Sequence, residues 1–270
     1  MTRLSRKRIT ETLLRLAPVQ LTDLTLFRHH KKWTVPLLAM HLGVDQSTAN
    51  RRLHRLVQRQ VVDRLLGQYR VTGGRQPDLY YLTRLGARAL SRHLQLGPNY
   101  IEAPSVGNAA SNAHDLWVVE IAIRLNRWDE MRHRERMTFD RYEHVADEDA
   151  QFRETGERFV LVPDLMLPDD DSDVYIEVEQ TTRYQHIVQK HRAYQMLGTT
   201  YLAEGRILPS VYIIFGNEQQ ERALLPDHLR VLSATENYWP IIGCTNMDAI
   251  RREDVHSLDA LEEMVRFLSF

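Results

Sequence analysis

The chain has 270 residues, room for two domains of ordinary size, and its hydrophobic content of 43% is normal for a water-soluble globular protein. A single cysteine, Cys244, excludes an intramolecular disulfide and a cysteine-built zinc site and suits a reducing cytoplasm; no apolar run reaches the ~18 residues that span a bilayer. The net charge of −1 hides a split, because residues 1–100 carry 18 Lys+Arg against 5 Asp+Glu and the remaining 170 carry 17 against 31. A basic third joined to an acidic remainder predicts a polyanion held by the first part and a different task for the second. Residues 1–8 are basic, but no apolar stretch follows them, so they do not read as a secretory signal. Proline, glycine and asparagine gather over 96–108, where the charge changes sign. That stretch predicts a first domain over 1–97, a linker over 98–110 and a second domain over 111–270.

In the basic third, residues 34–42 read as a short apolar helix with Thr34 at its cap and Pro36 in the first turn, where proline is tolerated. Gly43, Val44 and Asp45 form a tight turn, and Asp45 can cap the next helix. That helix, about 46–60, repeats Ala49, Leu53, Leu56 and Val57 at helical spacing and carries Ser47, Arg51, His54, Arg55 and Gln58 on its other side. Two helices joined by a three-residue turn containing glycine, the second basic outward, make a helix-turn-helix. Strands at 61–66 and 78–82, with the Gly-rich stretch 69–77 between them, add a wing. This winged helix-turn-helix predicts double-stranded DNA as partner: Arg51, Arg55, Arg70 and Arg75 for phosphates, and Ser47, Arg51 and His54 for base edges. The plain alternative is a helical bundle whose arginines form a solvated face.

The acidic remainder opens with a helix over 111–131, apolar on nearly every side between Leu116 and Leu125. Glu120 sits in its middle, and a buried carboxylate there needs a partner, a proton or a metal. Strands at 136–145, 158–167 and 173–181 follow, the last two joined by the acidic turn 168–173. Alternation puts Tyr175, Glu177, Glu179 and Thr181 on one face of the third strand, and the hairpin can bring Asp164 beside Glu177. Carboxylates converging on one patch repel unless a cation sits among them, and oxygen donors of this kind suit Mg²⁺ or Mn²⁺. A helix over 183–202 turns Lys190 toward the sheet with Ile187, Tyr194, Leu197 and Tyr201. The apolar run 211–215 reads as a strand buried in parallel pairing, followed by a helix at 217–233, a strand at 239–245 and a helix at 257–269. His29 and His30 lack the spacing of a metal-binding pair, and Tyr184, Tyr194 and Tyr201 are better packing residues than nucleophiles. No Gly-rich phosphate loop is present, so no nucleotide cofactor is expected.

Helix, three strands, helix, strand, with Pro163-Asp164 on the second strand and Glu177-Val178-Glu179 on the third, resembles the PD-(D/E)XK nuclease superfamily. With the winged helix in front, the whole resembles the replication-relaxation family of plasmid and mobile-element proteins, related to MobC-type mobilisation relaxases. The residues carrying the resemblance are 79–86, His114-Asp115-Leu116, Pro163-Asp164, Glu177-Val178-Glu179 and 190–194. It implies an α/β chain: a winged helix-turn-helix, then a restriction-endonuclease-like αβββαβ domain with a mixed central sheet. It also implies that Asp164 and Glu177 hold Mg²⁺ (or Mn²⁺), with Glu120 as the extra acid some members carry on the first helix. Glu179 stands where the superfamily has its lysine; in such folds the lysine can move to the next helix, where Lys190 lies. The catalytic set is then Asp164, Glu177, Glu179, Lys190 and Glu120. The implied activity is metal-dependent DNA nicking or cleavage in plasmid or mobile-element mobilisation and replication, in the cytoplasm, by a homodimer if the target has paired half-sites. The alternative is a non-catalytic regulator whose nuclease-like domain serves dimerisation.

Overall fold

The computed structural model describes residues 5–67, 69–70, 74–75, 77–97, 100–106, 109–126, 132–133, 137–146, 152–168, 172–180, 182–235 and 240–268. At 69–70, 74–75, 109–110, 132–133, 138–146 and 152–160 the description is of the backbone alone. The chain divides into two compact units, Met1–Ile123 and Arg124–Phe270.

The first unit runs α1 (Arg6–Leu14), α2 (Pro18–Thr25), β1 (Lys32–Trp33), α3 (Val35–Leu42), α4 (Gln46–Gln58), β2 (Val62–Leu65), β3 (Tyr69–Arg70), β4 (Gly74–Arg75), β5 (Leu79–Leu82), α5 (Arg84–His93) and α6 (Ala109–Arg124). Local chemistry explains the central helices. Thr34 caps α3 through the Leu37 amide, and Gly43 ends it in the left-handed region at φ 60°, where only glycine is unstrained. Asp45 then caps α4, which buries Ala49, Leu53 and Leu56 on one face. Strands β1, β5 and β2 form a sheet in that order, both pairings antiparallel. Beyond its open end, β3 and β4 pair as a two-stranded hairpin. The helix-turn-helix and wing are therefore present, while α1 and α2 lie in a part of the chain to which the sequence reading gave no elements.

Thr83 caps α5 through the Gly86 amide at 3.0 Å and donates its hydroxyl to the carbonyl of Gln60 at 2.8 Å. A Cβ at Gly86 would meet the Val61 carbonyl oxygen at 1.9 Å, so α5 can lie against this turn only with glycine there. Helix α6 is tied into the first unit by an ion pair of 2.7 Å between Asp115 and the buried Lys32. The boundary between the two compact units falls at the end of α6.

The second unit contains β6 (Arg132–His133), β7 (Met137–Ala146), β8 (Phe152–Leu161), β9 (Leu165–Leu167), β10 (Val174–Glu179), α7 (Tyr184–Ala203), β11 (Ser210–Phe215), α8 (Glu218–Ser233), β12 (Ile241–Asn246), α9 (Met247–Arg252), α10 (Leu258–Met264) and β13 (Arg266–Phe267). Six strands form a mixed sheet in the order β13-β12-β11-β10-β9-β6. Strands β10, β11 and β12 pair in parallel, and antiparallel strands close both sides. Tyr175, Tyr194, Leu197, Val211, Ile213 and Phe215 belong to the buried core between the sheet and its helices. Strands β7 and β8 form a separate ten-residue antiparallel ladder.

Three expectations are corrected. The strand expected over 158–167 is two strands, β8 and β9, interrupted at Val162-Pro163-Asp164; proline has no N–H to pair, and the ladder breaks there. The helix expected to run to 131 ends at Arg124. The last helix ends at Met264, because Val265 turns to extended backbone and the chain returns as β13, Leu268 donating to the Ile242 carbonyl at 2.9 Å. Helix α9, which no expectation covered, starts at an Asn246 cap. Among the described residues no helix is long and apolar enough to cross a membrane.

Candidate functional site

Two arrangements stand out, one in each unit. On α4, Ser47, Arg51, Arg55 and Gln58 are exposed, opposite the face that packs on the unit. Arg51 and Arg55 lie one turn apart, and Arg51 donates to the Thr48 hydroxyl at 3.0 Å. The neighbouring Arg52 turns inward instead and forms an ion pair with the buried Asp23 of α2. The Ser47 hydroxyl donates to Asp45, whose carboxylate also accepts from the Thr48 amide and hydroxyl. Those bonds hold the Asp45 carboxyl far below the usual carboxylate range. His54 is half-buried, 3.3 Å from an Arg64 nitrogen and edge-on to Tyr80. Arg70 and Arg75 are on the wing hairpin, but their side chains lie outside the described residues.

In the second unit, the break at Pro163 leaves Asp164 just ahead of β9. The β9–β10 register pairs Leu165 with Ile176, so Asp164 falls beside Glu177 and accepts the Val178 amide at 2.9 Å. Alternation along β10 sends Glu177 and Glu179 to one face, against α7. There Lys190 donates to Glu177 Oε2 and to Glu179 Oε2, each at 3.0 Å. Tyr194, one turn further along α7, donates to the other Glu177 oxygen at 2.6 Å. Glu177 and Glu179 are each only 2% exposed, whereas a quarter of the Lys190 side chain (25%) reaches solvent. Asp164, Glu177, Glu179 and Lys190 lie together at this end of β10. Glu120 is buried on α6 and belongs to the first unit. Thr181 lies outside the described residues.

The charges in this cluster do not cancel. Burial, with the neighbouring Asp164 adding to it, pushes the Glu177 carboxyl up to about 7, although Lys190 and the Tyr194 hydroxyl pull it down. Burial alone would lower Lys190, but Glu177, Glu179 and Asp164 outweigh it and hold the ammonium above the ordinary lysine value. Lys190 is therefore a fixed cation, and Glu177 is a carboxylate that gains from any further positive charge.

Two histidines complete the cluster and were missed in the sequence. His191, beside Lys190, places Nε2 2.9 Å from Nδ1 of His228 on α8. His228 is fully buried (0%), with its Nε2 3.9 Å from Glu179 Oε2. Burial lowers both imidazoles, His228 to about 4. Each was detectable as a histidine in an apolar stripe, His191 between Ile187 and Tyr194, and His228 between Leu224 and Val231. No local signal shows that the two meet.

Among solved structures, RV1404 from Mycobacterium tuberculosis is 25% identical over 33% of this chain and 58% of its own, with a TM-score of 0.27. A cysteine-to-serine mutant of MarR from E. coli, complexed with operator DNA, is 28% identical over 35% and 66%, with a TM-score of 0.27. A MepR-like protein complexed with pseudoligands is 20% identical over 35% and 66%, with a TM-score of 0.26. The chain thus spans less than two thirds of each of these relatives. No curated protein matches it. The replication-relaxation family model matches residues 24–209, a range that includes the helix-turn-helix, the wing, Asp164, Glu177, Glu179 and Lys190. The chain belongs to the replication-relaxation family.

Proposed function

We propose that the first unit binds double-stranded DNA through α4 and the wing, and that the second unit nicks or cleaves DNA with Mg²⁺ or Mn²⁺ during replication or mobilisation of a plasmid or other mobile element. The observation carrying this reading is Lys190: an ammonium on the helix after β10 lies 3.0 Å from both Glu177 and Glu179, with Asp164 across the β9–β10 pairing. A carboxylate pair beside a fixed cation is the equipment of a restriction-endonuclease-like site, with the lysine supplied from the helix.

The donor set fits a hard divalent cation. Asp164 and Glu177 would hold it, and Glu177, pushed up to about 7 by burial, would be relieved by it. Mg²⁺ is usually bound through only one or two carboxylates and keeps several waters, so two acids meet its demand. The ion would supply a bound water of lowered pKa and a shield for charge developing on the phosphate. Tyr194 holds Glu177 in one orientation, and Lys190 presents a permanent positive charge to the phosphate. In the first unit, Arg51 and Arg55 supply charge to the DNA backbone.

The test is conversion of supercoiled plasmid to open-circular or linear form. The wild type should act only with Mg²⁺ or Mn²⁺. Asp164→Ala should abolish activity, and Lys190→Ala should lower it by roughly 100-fold or more, as expected for the loss of one positioned electrostatic group. DNA binding without metal-dependent cutting would overturn the enzyme reading. It would favour the second one, a non-catalytic regulator that uses this unit to dimerise. That reading draws on the burial of Glu177 and Glu179 and on their pairing with Lys190, which together also describe a stable internal ion cluster.

A further inference from the structure

We infer that Glu179 is a two-position carboxylate, held by Lys190 in the free protein and taken over by His228 when a phosphodiester enters, so that His191 and His228 are positioning residues that release the Lys190 ammonium to the phosphate. The inference rests on the reading of the second unit as a phosphodiester-cleaving site. It concerns residues that reading does not use, and His228 lies beyond the range matched by the family, 24–209.

Lys190 has three N–H donors, and two are engaged at 3.0 Å by Glu177 and Glu179. A phosphate can take the third N–H, but to draw on a second it must displace one carboxylate. Glu177 is held through its other oxygen as well as by Lys190, by the Tyr194 hydroxyl at 2.6 Å. Glu179 has somewhere to go. The same Oε2 that accepts from Lys190 lies 3.9 Å from His228 Nε2, a buried nitrogen without a hydrogen-bond partner among the described residues. A shift of about 1 Å would bring the two to ordinary hydrogen-bond distance. Burial keeps both imidazoles neutral, so each carries one N–H. If His191 Nε2 donates to His228 Nδ1 across their 2.9 Å contact, the His228 proton sits on Nε2, aimed at Glu179. The opposite tautomer would set a lone pair against a carboxylate. His228 cannot turn to water instead: it is fully buried, and the Phe215 ring, paired in register with Glu179 on the adjacent strand, packs edge-on to it at 5.7 Å.

Two measurements decide the matter. In ¹⁵N NMR of the full chain, His228 should be the Nε2–H tautomer; a bare Nε2 overturns the inference. In plasmid nicking with Mg²⁺, His228→Phe should lower the rate about tenfold with little change in DNA affinity, and His228→Gln, which keeps a side-chain N–H, should recover most of it. Removal of the competing charge by Glu179→Gln should make His228→Phe silent, because Lys190 is then already released. Equal effects of His228→Phe in both backgrounds, after thermal melting shows both variants folded, mean a structural role alone and overturn the inference. A wild type that does not nick sinks the nuclease reading by itself, and the tautomer then decides alone whether His228 addresses Glu179.

Discussion

At position 86 a methyl group would meet the Val61 carbonyl oxygen at 1.9 Å and its carbon at 2.8 Å. Both are backbone atoms, so neither can step aside as a side chain would. Gly86→Ala should therefore destabilise the first unit by about 3 kcal/mol, at the upper end for overpacking, measured as a lower urea midpoint. His228 makes a prediction of a different kind. Its folded value of about 4 lies below the ordinary 6.5, so its contribution to stability is full above pH 6.5 and is lost as pH falls toward 4. In His228→Phe, the loss of stability between pH 7 and pH 4 should shrink by ~3 kcal/mol, at about 1.4 kcal/mol per pKa unit, checked by denaturation at both pH values. Glu177 has the opposite sign. Raised to about 7 from 4.5, it contributes below pH 4.5 and loses that contribution as pH rises through 7. Mg²⁺ or Mn²⁺ should accordingly raise the melting temperature more at pH 8 than at pH 5, and not at all in Asp164→Ala. Asp164, Glu177 and Lys190 were legible in the sequence because an acid in an apolar strand and a lysine in an apolar stripe both break a pattern. His191 and His228 break theirs less, since a histidine is half apolar.

Caps and breaks decide the elements. Thr34, Asp45, Thr83, Asn217, Asn246 and Ser257 each accept from a backbone amide at the start of a helix. Thr83→Ala should cost about 1 kcal/mol from the α5 cap alone, and more through the loss of its bond to Gln60; thermal denaturation of the variant gives the sum. Such signals lie within four residues, which is why α3, α4 and their turn were readable from sequence. The split of β8 from β9 was written in Pro163, yet the apolar run around it reads as continuous until the missing N–H is counted. The end of α10 was not readable, because residues 257–268 carry helix-compatible spacing to the end. What stops the helix is the open edge of β12, whose carbonyl at Ile242 takes the Leu268 amide.

Across the whole molecule, the split of 18 basic against 5 acidic residues in the first hundred, and 17 against 31 in the rest, sets how it meets a polyanion. DNA affinity should fall linearly with the logarithm of salt concentration, and Arg51→Ala or Arg55→Ala should each reduce that slope by roughly 0.9, read by fluorescence anisotropy on a short duplex. An affinity indifferent to salt would exclude α4 as the binding face. The sequence by itself determined the division of charge, the order of most elements, the capped helix-turn-helix and the identity of the acids and lysine in the second unit. Each of these is encoded in composition or in neighbours a few residues apart. Only the tertiary structure decided that Lys190 sits between Glu177 and Glu179, and that His228, 37 residues from His191, meets it beside Glu179. Such meetings depend on strand register and on how α7 and α8 pack against the sheet, and periodicity along a single element does not specify either.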